Sequence, residues 1–416
     1  MKRFILILTI LIALPTAAQE RITLKECYQL VTNNYPLVEQ LNLLEAQNKL
    51  DAAVIATSKL PQINLNAQAT YQSDVIKIPI PNANIEPLNK EQYRATVSVN
   101  QLIYNGGIIN ATLNAKAIQL KTKQQQVAVT LYQLKQQINQ LYFSVLLVQE
   151  TTLLLAAKKT QLQAKFKEVK SAVKYGVLLP ASDKVLEVEL LKVQLQINEV
   201  ENNKASLIES LSSLISKPLN KLTLFQNPII TTQLQGALNR PELKLFELKK
   251  NEIESFENLL LKQKAPKLHG FATGGYGNPG LNMLDNYFQP FYTVGVKLNW
   301  NVFDWNSNKK QRQSLAINKS IVANESAIFK LNTTIKLNKQ QKEIEKTAIT
   351  IAANQVIINL RKEVLQTAAS QLKNGVITSS AYITELTNLY EDENILVKNK
   401  IQLQLAKANY NVIKGQ

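Results

Sequence analysis

Residues 99–107 read VNQLIYNGG, and the 68 residues after them, 108–175, hold neither glycine nor proline before the chain turns at KYGVLLPAS (174–182). The order recurs at LNWNVFDWN (298–306). A second breaker-free run of 68 residues, 307–374, follows it and ends at KNGVITSSA (373–381). Runs this long read as helices, because glycine and proline are what interrupt them. At 1.5 Å per residue each would extend about 100 Å, wider than an ordinary core, so each must pack lengthwise on other helices.

The repeat extends outward from these runs. Pro36 and Pro61 are matched by Pro241 and Pro266 at an offset of 205, and Tyr71 by Tyr276. Tyr93 and Tyr292 stand 199 apart, as do Gly176 and Gly375. The six-residue difference falls between Tyr71 and Tyr93, where residues 72–92, with the proline-rich IPIPNANIEP (78–87), correspond to the shorter 277–291, with GNPGLNMLDNYFQP (277–290). Loops absorb such differences at little free-energy cost. The chain is an internal duplication, with repeats expected at 19–230 and 231–416.

Between the helical stretches the period changes to two. Ile63, Leu65, Ala67, Ala69 and Tyr71 alternate with Asn64, Asn66, Gln68, Thr70 and Gln72. Tyr93, Ala95, Val97 and Val99 alternate with Arg94, Thr96, Ser98 and Asn100. The second copy repeats this as a thinner strand, Leu268 to Tyr276 with glycines on its apolar face, and as Tyr292 to Val302. Strands are expected at about 62–72, 93–104, 267–277 and 291–303. Each copy thus reads helix, strand, strand, long helix, tight turn, helix. Stepping 4 and 3 from Leu113 to Val173, 15 of 18 seam positions are apolar, against 9 of 18 in the second copy. The first long helix therefore carries a coiled-coil seam, and the second a wetter or wider-angled one.

Composition narrows the chemistry. The 12 Gly and 13 Pro of 416 residues are about half of ordinary usage, which excludes a turn-rich fold. One Cys and one His leave no disulfide partner and too few ligands for a zinc site. His269 has no Asp, Glu or Ser arranged around it in sequence, so no enzyme and no cofactor is expected. Lys and Arg number 48 against 31 Asp and Glu, a formal charge of +17, but the bases are spread along an aromatic-poor chain. Nucleic acid is therefore not an expected partner.

Residues 1–19, MKRFILILTILIALPTAAQ, have a basic start, an apolar run of about 11 residues and a small-residue exit. They read as a secretory leader over 1–18, too short to span a bilayer. Cys27 lies in a polar context without a lipidation box, so no lipid anchor is expected. Four strands of about 11 residues, with aromatics toward their ends, suit a membrane barrel. Four cannot close one alone, and open edges in lipid leave backbone groups unpaired, so the membrane reading requires strands shared between subunits.

NNYP (33–36), LNRPEL (238–243), SKLPQINL (58–65), KAPKLHGF (264–271), VNQLIYNGG, LNWNVFDWN and the two glycine-centred turns appear in an order that resembles the TolC family of outer-membrane efflux proteins. The resemblance covers nearly the whole mature chain. It implies a mainly α fold of long helical hairpins in two repeats, with four strands per subunit building a shared 12-stranded trimeric barrel. It implies a passive exit duct in the outer membrane of a Gram-negative bacterium, serving tripartite efflux or type I secretion. The implied partners are two further copies of the chain, outer-membrane lipid, a periplasmic adaptor and an inner-membrane RND, ABC or MFS pump.

On that resemblance Asn64, Asn66, Gln68, Thr96 and Ser98 line the barrel. Tyr175, Gly176, Val177, Leu178, Leu179 and Pro180 form one adaptor-facing tip, and Asn374, Gly375, Val376, Ile377, Thr378 and Ser379 the other. The acidic ring common at such tips has no counterpart here, and the basic balance departs from the family's acidic tunnels. Either the lysines lie outside the tunnel or the tunnel favours cations less. A periplasmic adaptor with one long hairpin is the alternative; the duplicated hairpin and the four long strands speak for the channel.

Overall fold

The computed structural model describes residues 20–76, 86–233 and 236–416. The leader read at 1–18 and most of the 78–87 loop lie outside them. In chain order the elements begin with β1 (Arg21–Ile22), α1 (Leu24–Asn34) and a 3-10 turn (Pro36–Val38). They continue with α2 (Glu39–Thr57), β2 (Gln62–Tyr71), β3 (Glu91–Tyr104), α3 (Ile108–Lys174), α4 (Ser182–Ile215) and β4 (Leu224–Phe225). The second copy supplies α5 (Pro241–Gln263), β5 (Lys267–Asn278), β6 (Gln289–Asn299), α6 (Ser307–Lys373) and α7 (Ser379–Lys414).

Both long helices have 67 residues and coincide end for end at the 199 offset. Strand β6 stops short of the expected end at 303. Its last rung pairs Asn299 with Lys267, and the next partner would be Pro266, which has no N–H to continue the ladder. Trp300 instead donates its indole N–H to the Lys264 carbonyl at 3.1 Å.

Two compact units divide the chain, and each draws on both repeats. The first comprises residues up to Val38, Val127–Pro241 and Ile328–Gln416; the second comprises Glu39–Gln126 and Glu242–Ala327. The expected repeat boundary is therefore not the boundary of the compact units, because helices from the two copies pack on each other.

In the first unit, α3 gives Leu155, Leu162 and Val169 to a core that also takes Leu186 and Val193 of α4, Ile358, Leu365 and Leu372 of α6, and Tyr382, Leu386, Leu389 and Leu396 of α7. The seven-residue spacing is a coiled-coil contact, and burying each such side chain contributes about 1.5–3 kcal/mol. The two copies bury largely different parts of the seam, although Val169 and its equivalent Ala368 are both buried. At the 199 offset Ile358, Leu365 and Leu372 correspond to Lys159, Phe166 and Val173, which are only half-buried. Helix α3 contains an 18-residue window apolar enough by composition to cross a membrane, with mean hydropathy 1.3. About a third of that window is buried, and Phe143, Val145, Leu146 and Leu155 of the same helix are buried in packing against other elements.

The first unit also contains α1, which begins with a capping box. Glu26 N–H donates to Thr23 Oγ1 at 3.2 Å, and Thr23 N–H donates to the Glu26 carboxylate at 2.7 Å. Strand β1 pairs parallel with β4, and the buried Tyr142 hydroxyl lies 2.6 Å from the Gln226 carbonyl and 3.0 Å from that of Ile22. Burial beside Glu26 pushes the Cys27 thiol up to about 12, which leaves it inert.

In the second unit polar pairs join α2 to the start of α3, with Lys116 3.0 Å from Asp51 and Gln124 2.9 Å from Glu45. Arg312 and Glu257, 2.9 Å apart, join α6 to α5. These contacts flank the junctions where the chain enters and leaves its four-stranded sheet.

Candidate functional site

That sheet is antiparallel throughout, in the order β2-β3-β5-β6. Register fixes what shares a face, because directly paired residues project to the same side. Asn64 pairs with Ser98, Ser98 with Thr273, and Thr273 with Thr293. Asn66 pairs with Thr96, Thr96 with Gly275, and Gly275 with Phe291. Gln68 faces Arg94 on the same side. The five lining candidates therefore lie together on one polar face.

Exposure is inverted relative to a soluble sheet. The apolar side is the open one: Val97 is 46% exposed, Leu65 75% and Tyr292 79%. On β3 the polar Gln92, Arg94, Thr96 and Ser98 are half-buried while Tyr93, Ala95 and Val97 are exposed. Asn64, Asn66 and Gln68 belong to the edge strand and are exposed on the polar side. An apolar face turned outward, a sheltered polar face and two unpaired edges suit a wall segment of a membrane barrel.

The period-two reading did not place Phe271 and Phe291 on the polar face. Each lies over the glycine paired with it. A Cβ added to Gly275 would sit 2.5 Å from the Phe291 ring, and one added to Gly295 would sit 2.8 Å from the Phe271 ring. The glycines let the rings lie along the sheet rather than project from it. The signal was present in sequence as glycines one rung across from phenylalanines, readable only once register is known. Arg94 rests on this surface, its guanidinium 5.5 Å from the Phe291 centroid and 3.5 Å from the Gly280 carbonyl. His269 pairs with Lys297 in the ladder.

Both tips lie in the first unit, far along the chain from the sheet. Helices α3 and α6 end in the same cap. Val177 N–H donates to the Ala172 carbonyl at 2.8 Å and Val376 N–H to that of Gln371 at 2.9 Å, with Gly176 and Gly375 left-handed at φ 74° and 70°. Gly176 to Pro180 and Gly375 to Thr378 line one cleft of about 600 Å³. Tyr175, Val177, Leu179 and Val376 are exposed, whereas Ser379 and Tyr382 are buried against their own unit. Glu385 lies 3.5 Å from Arg361, which also reaches Asp392 at 3.0 Å.

Among solved structures the chain is similar to CusC, in work on its folding and transmembrane channel formation, with a TM-score of 0.69 at 12% identity over 94% of this chain and 92% of that one. It is similar to the CmeC outer-membrane channel of Campylobacter jejuni, TM-score 0.66 at 13% identity over 94% and 85%. The outer-membrane protein VceC of Vibrio cholerae gives 0.66 at 12% identity over 94% and 96%. The fold is that of the outer-membrane channels. No protein-family model and no curated protein matches the chain in sequence. The likeness spans 94% of this chain in each pair and 85% or more of the other, so it includes the sheet and the helices together, and the mainly α architecture with a small β part is the expected one.

Proposed function

We propose that this chain is one subunit of a homotrimeric exit duct of the TolC type in the outer membrane. The observation that carries the reading is the four-stranded sheet, with its exposed apolar face, sheltered polar face and two open edges. Three copies supply twelve strands and close every edge, which a lipid environment demands. The duct is passive: a periplasmic adaptor engages the tips Tyr175–Pro180 and Asn374–Thr378, and an inner-membrane RND, ABC or MFS pump provides the driving force, in efflux or type I secretion. Asn64, Asn66, Gln68, Thr96 and Ser98 line the exit. The first 18 residues direct export and are removed, and the mature chain carries no lipid. The buried Ser379 positions the second tip rather than touching the adaptor.

A planar-bilayer recording on the purified full-length protein tests this, together with its mass in detergent by light scattering. Discrete conductance from a species of three chains is expected. A soluble monomer that never inserts overturns the proposal.

A further inference from the structure

All the basic side chains within the four long strands lie on one face. β3 contributes Arg94, β5 contributes Lys267 and His269, and β6 contributes Lys297. Register places every one of them on the polar side with Ser98, Thr273 and Thr293, where Arg94, Lys267 and His269 are half-buried and Lys297, on the edge strand, is exposed. The same strands hold one acid, Glu91, which pairs with Tyr71 and so shares the apolar face. The nearby carboxylates lie off the strands. Asp285, in the β5–β6 loop, accepts from Gln289, and Asp304, beyond β6, pairs with Lys264 at 3.4 Å. The lining face thus has fixed positive charge and no carboxylate.

We infer that this face makes the barrel favour anions, so that the solutes it passes most readily are small organic or inorganic anions. This rests on reading the sheet as the wall of a conducting barrel.

The charges sit at two levels. Arg94 pairs with Gly277, whereas Lys297 pairs with His269 and Lys267 with Asn299. Along β5 the two levels are about 27 Å apart, at ~3.4 Å per residue. Between them the lining is neutral: hydroxyls, amides, and the flat rings of Phe271 and Phe291. Arg94 is held in place by its ring and carbonyl contacts rather than neutralised by a carboxylate. Three copies turn each level into a ring of like charge. A narrow aqueous path with low-dielectric walls focuses the field of such rings and raises the local concentration of counter-ions, here anions. Separation by about 27 Å exceeds the ~8 Å screening length at physiological salt, so each ring acts as an independent filter.

The test is the reversal potential of the trimer in a planar bilayer under a KCl gradient, compared with the triple variant Arg94→Gln, Lys267→Gln, Lys297→Gln. Wild type is expected to prefer chloride over potassium by about threefold or more, and the triple variant to lose at least about half of that preference. The single variant Lys297→Glu, a change at one solvent-facing position, is expected to shift selectivity toward potassium even if the triple variant fails to assemble. A conducting wild-type trimer that prefers potassium overturns the inference and leaves the duct reading standing. So does a chloride preference untouched by both sets of changes. A folded trimer that never conducts overturns both readings together.

Discussion

Gly106 and Trp305 stand at the same place in the two copies and share one left-handed backbone conformation, with φ of 66° and 52°. Their successors, Gly107 at 83° and Asn306 at 61°, share it too. The residue before each pair makes the same turn: Asn105 Oδ1 accepts from Gly107 N–H, and Asp304 Oδ1 from Asn306 N–H, both at 3.1 Å. One strand-to-helix device is therefore written with two different residue sets. What separates them is space. Trp305 is 80% exposed, whereas a Cβ on Gly106 would sit 2.1 Å from the Ala265 Cβ.

Glycine is consequently required at 106 by a wall as well as by φ. Gly106→Ala is expected to destabilise the protein by about 3 kcal/mol, combining left-handed strain with overpacking. Gly176→Ala, where nothing lies within 4 Å, should cost about 1 kcal/mol. Thermal unfolding of the two variants checks the difference, and Ala265→Gly in the Gly106→Ala background should recover the overpacking share. Equal losses in the two single variants would refute the role of the wall.

The second junction is charged where the first is neutral, which makes it sensitive to acid. Hydrogen bonding from Asn308 N–H, then the charge of Lys264 and the bond from Asn306 N–H, hold the Asp304 carboxyl below its ordinary 3.8. A carboxyl lowered on folding contributes stability above that ordinary value, and the contribution is lost as pH falls through the folded value beneath it. Asp304→Asn, which copies the Asn105 of the first junction, should lower the melting temperature at neutral pH. The gap should close as pH falls through that lowered value. A gap that persists in acid would show that the carboxylate charge has no part in the cap.

Much of this architecture was legible because Gly and Pro are scarce enough for each to mark an event. Pro241, Gly176 and Gly375 fall at the helix ends where the spacing placed them, and the alternation of Ile63 to Tyr71 gave both the strand and its faces. Helix α1 and the β1–β4 pair were not legible, since two-residue strands carry no period and their pairing joins Ile22 to Phe225 across some two hundred residues. The early end of β6 depends on a proline in the partner strand, a register effect invisible along one segment. Which part of each coiled-coil seam turns inward was hidden for a similar reason. Leu155 and Lys159 occupy successive seam positions, and only packing decides that the first is buried while in the second copy Ile358, the equivalent of Lys159, is buried. On the sheet, the tally of lysines was visible from the start, but their segregation onto one face needed the ladder.

Lys158 and Glu189 form an ion pair of 2.9 Å inside the first unit, with side chains 5% and 15% exposed. Lys158 also stands 4.9 Å over the ring of Tyr390, so three helices meet at one ammonium. Removing one partner leaves the other charge buried without compensation, which costs about 3–5 kcal/mol, while replacing both by apolar groups of similar size is often neutral. Lys158→Met is therefore expected to lower stability strongly, and Lys158→Met with Glu189→Leu to restore most of it. Denaturant unfolding of the two single variants and the double variant measures the coupling. Additive losses would mean that the pair is not what holds these helices in register.

Helix α6 carries an apolar stripe that its own chain leaves open. Ile321, Ile328, Ile335, Ile349 and Val356 recur at multiples of seven residues, with exposures of 49–73%, and Lys342 fills the one vacant step. A seven-residue apolar repeat is the pattern of a helix seam awaiting a partner helix, and isolated water-facing isoleucines at that spacing would carry a steady cost. In the proposed trimer the stripe meets a neighbouring copy, each isoleucine contributing about 1.5–3 kcal/mol on burial, three times over by symmetry. Ile328→Asp combined with Ile335→Asp should therefore convert the trimer to folded monomers, seen as a threefold fall in mass by light scattering in detergent with unchanged helical circular dichroism. Leu365→Asp, aimed at the buried core instead, should lose helical signal before any change in mass. A trimer that survives both stripe substitutions would mean that the strand edges or another face of the helix, not this stripe, hold the subunits together.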